Sequence, residues 1–167
     1  MSGQPWNQIC TLRQDVHKGE LSLAEFAADL NDVRTGNAPV IYSDANMFFD
    51  RTYPTFRMKE LTRDVLKRLT GQGGKPVLRL QVAYGGGKTH TLITLLHLAE
   101  RGNALNAHRT VREFLAFAGL TNAPAARVAL LPCDKLDVNE GMEVYGPDGG
   151  ETPSAHALGR IGLPACR

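Results

Sequence analysis

The chain has 167 residues, with 19 lysines and arginines against 17 aspartates and glutamates, for a formal net charge of +2. This length is enough to bury the core of one domain, and the near balance of charge does not favour a nucleic-acid-binding or membrane-surface protein. Three isolated cysteines, Cys10, Cys133 and Cys166, lack metal-ligand spacing and are typical of reduced thiols. With no export signal and no membrane-spanning stretch in the sequence, we expect a cytoplasmic protein.

Residues 1–75 are predicted to form an N-terminal helical region. Apolar residues at helical spacing indicate a first helix over residues 6–17. A second helix is predicted to begin at a capping box over residues 22–25 and to end at Gly36, a typical C-terminal cap. The second pattern indicates a packing helix without chemistry.

Residues 38–55 are predicted to hold a short extended piece at 40–42 and then a polar turn at 43–46. Such a segment would suit a pocket for a nucleotide base. Tyr53 has an aromatic ring that could stack on a purine, whereas simple packing beside Pro54 is the alternative.

A third helix is predicted over residues 56–69. Its apolar face is formed by Met58, Leu61, Val65 and Leu69. Residues 51–75 contain seven lysines or arginines against two acids, an excess of five positive charges. This excess indicates either a solvated helix face or a patch that faces phosphate or nucleic acid.

A glycine-rich loop follows a predicted strand over residues 77–82 and leads into a predicted helix. It consists of Tyr84, Gly85, Gly86, Gly87, Lys88, Thr89 and His90. Glycines without a Cβ allow backbone N–H groups to wrap a di- or triphosphate. Lys88 would bring a cation to the β- and γ-phosphates, and Thr89 would ligate Mg²⁺. The strand, loop and helix order predicts a Walker A loop that binds ATP and Mg²⁺, with a glycine-rich turn as the alternative.

Two features depart from the usual pattern of such loops. Val82 stands where the first glycine is expected, so the loop is predicted to leave its strand differently. Arg79 and Gln81 are polar, whereas the strand that carries such a loop is normally apolar on both faces.

A further helix is predicted with Thr110 as its cap and Gly119 at its end, and its apolar residues are Val111, Phe114, Leu115 and Ala118. A second strand is predicted to follow over residues 127–134. A strand, helix and strand in this order imply a right-handed parallel connection, and therefore a P-loop NTPase-like α/β fold with an incomplete parallel sheet. Asp134 is interpreted either as the acid that holds Mg²⁺ through water or as a strand-end residue.

The histidines are predicted to form no metal cluster. His90 and His97 lie seven residues apart on the loop helix, with no acidic or cysteine partner in evidence, so we expect structural or solvated roles. His97 is placed on a polar side of that helix, together with Thr91, Thr94 and Arg101. His90 could also contact phosphate through its backbone N–H.

The sequence predicts three regions. They are the helical region over 1–75, a P-loop strand-helix-strand core over 76–140, and a hairpin at 142–149 within a poorly structured tail over 141–167. Two parallel strands cannot close a core. We therefore expect either the N-terminal piece of a longer protein or a sheet that a partner completes.

Residues 10–13, 24–36, 52–55 and 84–92 resemble the N-terminal part of large bacterial and archaeal AAA-type P-loop ATPases. These ATPases are often encoded beside DNA methyltransferases and helicases in phage-defence regions. The resemblance implies that Lys88 contacts nucleotide and acts in catalysis, and that Thr89 contacts magnesium. The later acidic, sensor and arginine elements of the family have no counterpart in this chain.

The first functional hypothesis is therefore an ATP-binding module of AAA type, whose complete relatives would couple hydrolysis to motion on a DNA-linked assembly. A second hypothesis is a non-catalytic module that assembles with another subunit. A third is a small phosphoryl-transfer enzyme that uses Asp134.

Overall fold

The computed structural model describes residues 5, 10–11, 14–19, 28–81, 83, 85–131, 144–145 and 151–152. Within them the chain forms seven α-helices, one 3₁₀-helix and two short strands. In chain order these are α1 (Gln14–Lys18), α2 (Leu30–Thr35), α3 (Val40–Ser43), α4 (Ala45–Asp50), α5 (Phe56–Leu69), α6 (Lys88–Arg101), the 3₁₀-helix (Gly102–Leu105), α7 (Arg109–Ala118), β1 (Val144–Tyr145) and β2 (Glu151–Thr152).

The predicted parallel sheet of a P-loop NTPase-like fold is wrong for the part of the chain that the structure describes. The one ladder there is antiparallel and joins β1, which lies within the predicted hairpin at 142–149, to β2, which lies just after it. Residues 77–81 form no strand. Arg79 and Gln81 are exposed there, and a central strand would have to bury both polar side chains.

The second predicted strand is also not seen over residues 127–131, the part of it that the structure describes. Residues 126–131 instead line a cavity of about 470 Å³ together with apolar side chains of α5 and α6. The Ala126 N–H donates to the carbonyl oxygen of Ala99 near the end of α6, at 2.9 Å. The apolar residues of this segment therefore lie beside helices, and the described core is helical.

Helix α2 begins at Leu30, after residues 28–29, which are not helical. The Asp29 carboxylate accepts from the backbone N–H groups of Asn31 (2.7 Å) and Asp32 (3.4 Å), which caps the helix at Leu30. The predicted C-terminal cap is confirmed, since Gly36 has a φ of +79°. The predicted capping box and most of the first predicted helix lie outside the described residues.

The extended piece predicted at residues 40–42 is wrong, because these residues form α3. Their β-branched and aromatic side chains favour strands only weakly, and local hydrogen bonds decide the outcome. The Asp44 carboxylate accepts from the backbone N–H of Met47 at 2.8 Å and so caps the start of α4. The predicted polar turn is therefore a junction between two helices.

Helix α5 has the predicted bounds, but its buried face is rotated. Met58, Thr62 and Leu66 are its buried residues, whereas the predicted Leu69 is largely exposed. Packing against α7 fixes this face. Lys59 of α5 also pairs with Glu113 of α7 at 2.9 Å.

The aromatic residues of α4 occupy the centre of the core. Phe48 and Phe49 are almost fully buried and meet edge to face, with ring centroids 5.4 Å apart. Phe49 also contacts the Phe114 ring of α7, at 6.5 Å between centroids. Because α4 contacts both α6 and α7, these rings join the helices around them. None of the helices in the described ranges has both the length and the hydropathy needed to cross a membrane.

Two buried threonines provide a test of this packing. The Thr62 hydroxyl has no hydrogen-bond partner among the described residues, whereas the Thr94 hydroxyl donates to the His90 carbonyl oxygen at 2.9 Å. Thr62→Val removes an unsatisfied polar group at nearly constant shape, so the free energy of unfolding should rise by about 1 kcal/mol. Urea denaturation measures this change. The matched Thr94→Val should give no such gain, and an equal loss of stability in both variants would contradict the packing described for α5.

Candidate phosphate-binding site

The glycine loop turns through left-handed backbone conformations. Gly85 has a φ of +77° and Gly87 a φ of +73°. A Cβ at either position would meet no atom within 4 Å, so the backbone angle, and not space, requires glycine there. The Gly86 N–H donates to the carbonyl oxygen of Ala83 at 3.1 Å, which closes the turn.

Gly87 is also the N-cap of α6, and no side chain caps this helix. Its carbonyl oxygen accepts the backbone N–H of Thr91 at 2.9 Å, the first bond of the helix. The backbone N–H groups of Thr89 and His90 lie in the first turn, before the regular hydrogen bonds of the helix begin. They add to the positive end of the helix dipole, so the exposed loop meets a terminus that favours an anion.

The loop lysine folds back over the turn. Lys88 Nζ donates to the carbonyl oxygen of Ala83 at 3.1 Å, the same oxygen that accepts from Gly86. Thr89 follows as the second residue of α6, with a half-buried side chain. Tyr84 and Asp134, the other predicted contacts of nucleotide and metal, lie outside the described residues.

His90 fastens the start of α6 to the core. Its Nε2 lies 3.0 Å from the Thr52 hydroxyl, which itself donates to the carbonyl oxygen of Phe48 at 2.7 Å. The hydroxyl has one hydrogen, so His90 is the donor to it and carries its proton on Nε2. The His90 ring lies against the Phe48 ring, at 4.5 Å between centroids. Burial lowers the pKa of His90 below 6.5, which favours this neutral form.

The predicted polar side of α6 is largely buried, which corrects the sequence interpretation. Thr91, Thr94 and His97 are all buried. Each threonine hydroxyl donates to a backbone carbonyl one turn earlier in the helix. His97 Nε2 donates to the Tyr42 carbonyl oxygen at 2.8 Å. Because every one of these groups has an internal partner, the polar residues can face the core.

A cleft of about 1070 Å³ lies beside the glycine loop. One wall is the loop with His90, the second is the exposed side of α5, and the third is the segment over residues 75–81. Charged residues from these walls line it: Arg57, Glu60, Arg63, Asp64, Lys75 and Arg79. Arg57 pairs with Glu60 at 3.2 Å and Arg63 with Asp64 at 2.9 Å. Part of the basic excess of residues 51–75 therefore faces the cleft.

The third wall is held close to α5 by a glycine. Gly74 has a φ of +88°, and a Cβ there would lie 2.9 Å from the backbone nitrogen of Arg68. Only glycine permits this approach. The sequence shows the glycines at 71, 73 and 74 but not which of them touches a helix, so the cleft is not predictable from the motif alone.

Helix α7 is capped by a different residue from the one that the sequence predicts. α7 is capped by His108, whose Nδ1 accepts the backbone N–H of Thr110 at 3.2 Å, and not by Thr110 itself. His108 Nε2 donates to the Asp50 carboxylate at 3.0 Å. The predicted end at Gly119 is confirmed by a φ of +74°.

The buried histidines predict a loss of stability in mild acid. Burial lowers the pKa of His97, against an opposing effect of its bond to the Tyr42 carbonyl, and burial lowers the pKa of His90 as well. Protonation therefore favours the unfolded chain, and the free energy of unfolding should fall as the pH drops below about 6.5. Urea denaturation between about pH 7.5 and pH 5.5 measures this fall.

The variant His97→Gln should lose less stability over that pH range than the wild type, because one titrating group is gone. His17→Gln is the matched control, since His17 is exposed on α1. An unchanged pH dependence in His97→Gln would contradict the assignment of a buried neutral imidazole.

Comparison with known proteins identifies the family to which the chain belongs. No curated protein and no solved structure matches the chain. A family model described as the DUF499 N-terminal domain matches residues 7–122, well over half of the chain. The matched region includes the glycine loop and all three walls of the cleft. The chain therefore belongs to the DUF499 family, through the N-terminal domain that defines this match.

Proposed function

We propose that this chain binds a nucleoside triphosphate, ATP with Mg²⁺, through residues 85–89. The observation that carries the proposal is the left-handed Gly87 at an uncapped helix start, with Lys88 beside it. Backbone N–H groups of the loop, the positive end of a helix dipole and an ammonium group then lie at one exposed loop. A triphosphate suits these donors, because it carries several negative charges and many oxygens that accept hydrogen bonds.

Each group has a separate task in this proposal. The N–H groups of the loop donate to phosphate oxygens, and Lys88 exchanges its bond to the Ala83 carbonyl for the β- and γ-phosphates. The Thr89 hydroxyl supplies one oxygen ligand to Mg²⁺. Few protein ligands are needed, because phosphate oxygens and water fill the remaining coordination positions of the metal. The metal neutralises charge on the phosphates.

Phosphate binding in this proposal does not require a parallel sheet. The donors belong to a loop and to the first turn of a helix of 14 residues, and that helix is anchored to a helical core. We propose further that the domain serves a larger AAA-type ATPase in DNA-linked defence, where a partner or the remainder of a longer chain completes hydrolysis. The sequence resemblance supports this wider role.

The variant Lys88→Ala tests the binding proposal directly. Loss of a charge-assisted bond of about 1.5–3 kcal/mol should weaken binding of Mg-ATP roughly tenfold to a hundredfold. Isothermal titration calorimetry measures the dissociation constant, and Lys18→Ala removes an exposed lysine on α1 as the charge-matched control. Equal affinity of Lys88→Ala and the wild type would refute the loop assignment.

A phosphate-release assay on the wild type and on Asp134→Ala separates the three functional hypotheses. ATP binding without phosphate release is expected of a binding module that needs a partner. Steady release that Asp134→Ala abolishes would instead identify a small phosphoryl-transfer enzyme. Absence of any ATP binding would leave the assembly module.

A separate prediction concerns the proposed contact between the Thr89 hydroxyl and Mg²⁺. Thr89→Ala should leave ATP affinity in excess EDTA unchanged and should reduce the gain in affinity that Mg²⁺ gives the wild type. Titrations with and without Mg²⁺ measure that gain. A gain as large in Thr89→Ala as in the wild type would show that Mg²⁺ binds without this hydroxyl.

A further inference from the structure

Tyr53 is the most exposed of the large hydrophobic side chains in the described residues, at 81% of its full exposure. Its neighbours on both sides, Thr52 and Pro54, are buried. The backbone is therefore held on either side of Tyr53 while the ring stands in solvent. The ring is therefore not packed beside Pro54, which is the alternative that the sequence leaves open.

The exposed ring belongs to the same cleft as the glycine loop. Tyr53 lines that cleft together with Gly85, Gly86, Gly87 and His90. The preceding residue, Thr52, is tied to His90 by the 3.0 Å hydrogen bond. His90 lies in the first turn of α6, three residues after Gly87. A short, rigid connection thus sets the position of Tyr53 relative to the loop.

We infer that Tyr53 stacks on the base of the nucleotide whose phosphates the glycine loop holds, an inference that rests on the proposed function. An aromatic ring and anion donors that line one cleft match the base and the phosphates of a nucleotide. Stacking recognises the π-face that every base possesses. The preferred ligands are purine nucleoside triphosphates, since a purine offers the larger face to the ring.

The surroundings distinguish Tyr53 from the other exposed aromatic residue nearby. Phe56 is also exposed, but its ring meets the Phe117 ring edge to face at 5.9 Å and does not line the cleft. Removal of the Phe56 ring should therefore disturb a local contact between α5 and α7 and leave nucleotide binding unchanged. This makes Phe56→Ala a matched control for Tyr53→Ala.

The test compares two ligands that share their phosphates, Mg-ATP and Mg-tripolyphosphate. Calorimetry should show that Tyr53→Ala weakens ATP binding roughly 5- to 150-fold, the range that corresponds to losing one stacked base. Binding of tripolyphosphate, which has no base, should stay at the wild-type value. Tyr53→Phe keeps a ring and should retain most of the ATP affinity, and Phe56→Ala should retain all of it.

Each other outcome decides against the inference. Wild-type ATP affinity in Tyr53→Ala would overturn stacking while leaving phosphate binding by the loop intact. Equal weakening of both ligands in Tyr53→Ala would show that the residue acts on the loop and not on a base. If the wild-type protein binds neither ligand, the proposed function fails, and base stacking fails with it.

Discussion

The arrangement of this domain depends on how helix α6 is attached to the aromatic centre of the core. His90 and His97 both lie against the Phe48 ring, and each uses its Nε2–H to reach an oxygen of the segment that contains α3, α4 and Thr52. Burial lowers the pKa of both residues and so favours the neutral imidazole, since a buried charge is costly. The two bonds hold α6 near its start and in its second half.

This attachment also positions the glycine loop, because Gly87 is the N-cap of α6. Nothing in the described part of the chain pairs residues 77–81 into a sheet, so a flanking strand does not hold the loop from the N-terminal side. The His90 bond to Thr52 takes over that task from the C-terminal side. The same bond places the exposed Tyr53 beside the loop, and the core thereby sets the distance between two parts of one cleft.

The sequence predicts those features that depend on neighbouring residues. The bounds of α5, the glycine ends of α2 and α7, and the apolar face of α7 follow from local rules of capping and periodicity. The sequence does not predict what depends on distant partners. Residues 40–42 have strand propensity but are helical, and the threonines and His97 of α6 are predicted as a polar side of the helix although they are buried. In both cases internal hydrogen bonds satisfy the polar groups, and a linear pattern cannot show them.

The candidate site divides in the same way. The three glycines, Lys88 and Thr89 are visible as a motif, and the left-handed angles at Gly85 and Gly87 agree with the reason for choosing glycine. The parallel sheet inferred around that motif is absent from the described residues, and the polar residues Arg79 and Gln81 were the signal against it. The cleft and its exposed tyrosine depend on how α5, residues 75–81 and the loop pack together, which the sequence does not show.

The central claim is that the backbone N–H groups of residues 85–89 hold the phosphates of a nucleotide. The most direct measurement is a ¹H–¹⁵N correlation spectrum of the labelled protein recorded during a titration with Mg-ATP. The account predicts that the largest amide shifts occur at Gly85, Gly86, Gly87, Lys88 and Thr89, and that the same amides respond to tripolyphosphate. Saturating ATP that leaves these five amides unmoved, or that shifts only amides far from the loop, would contradict it.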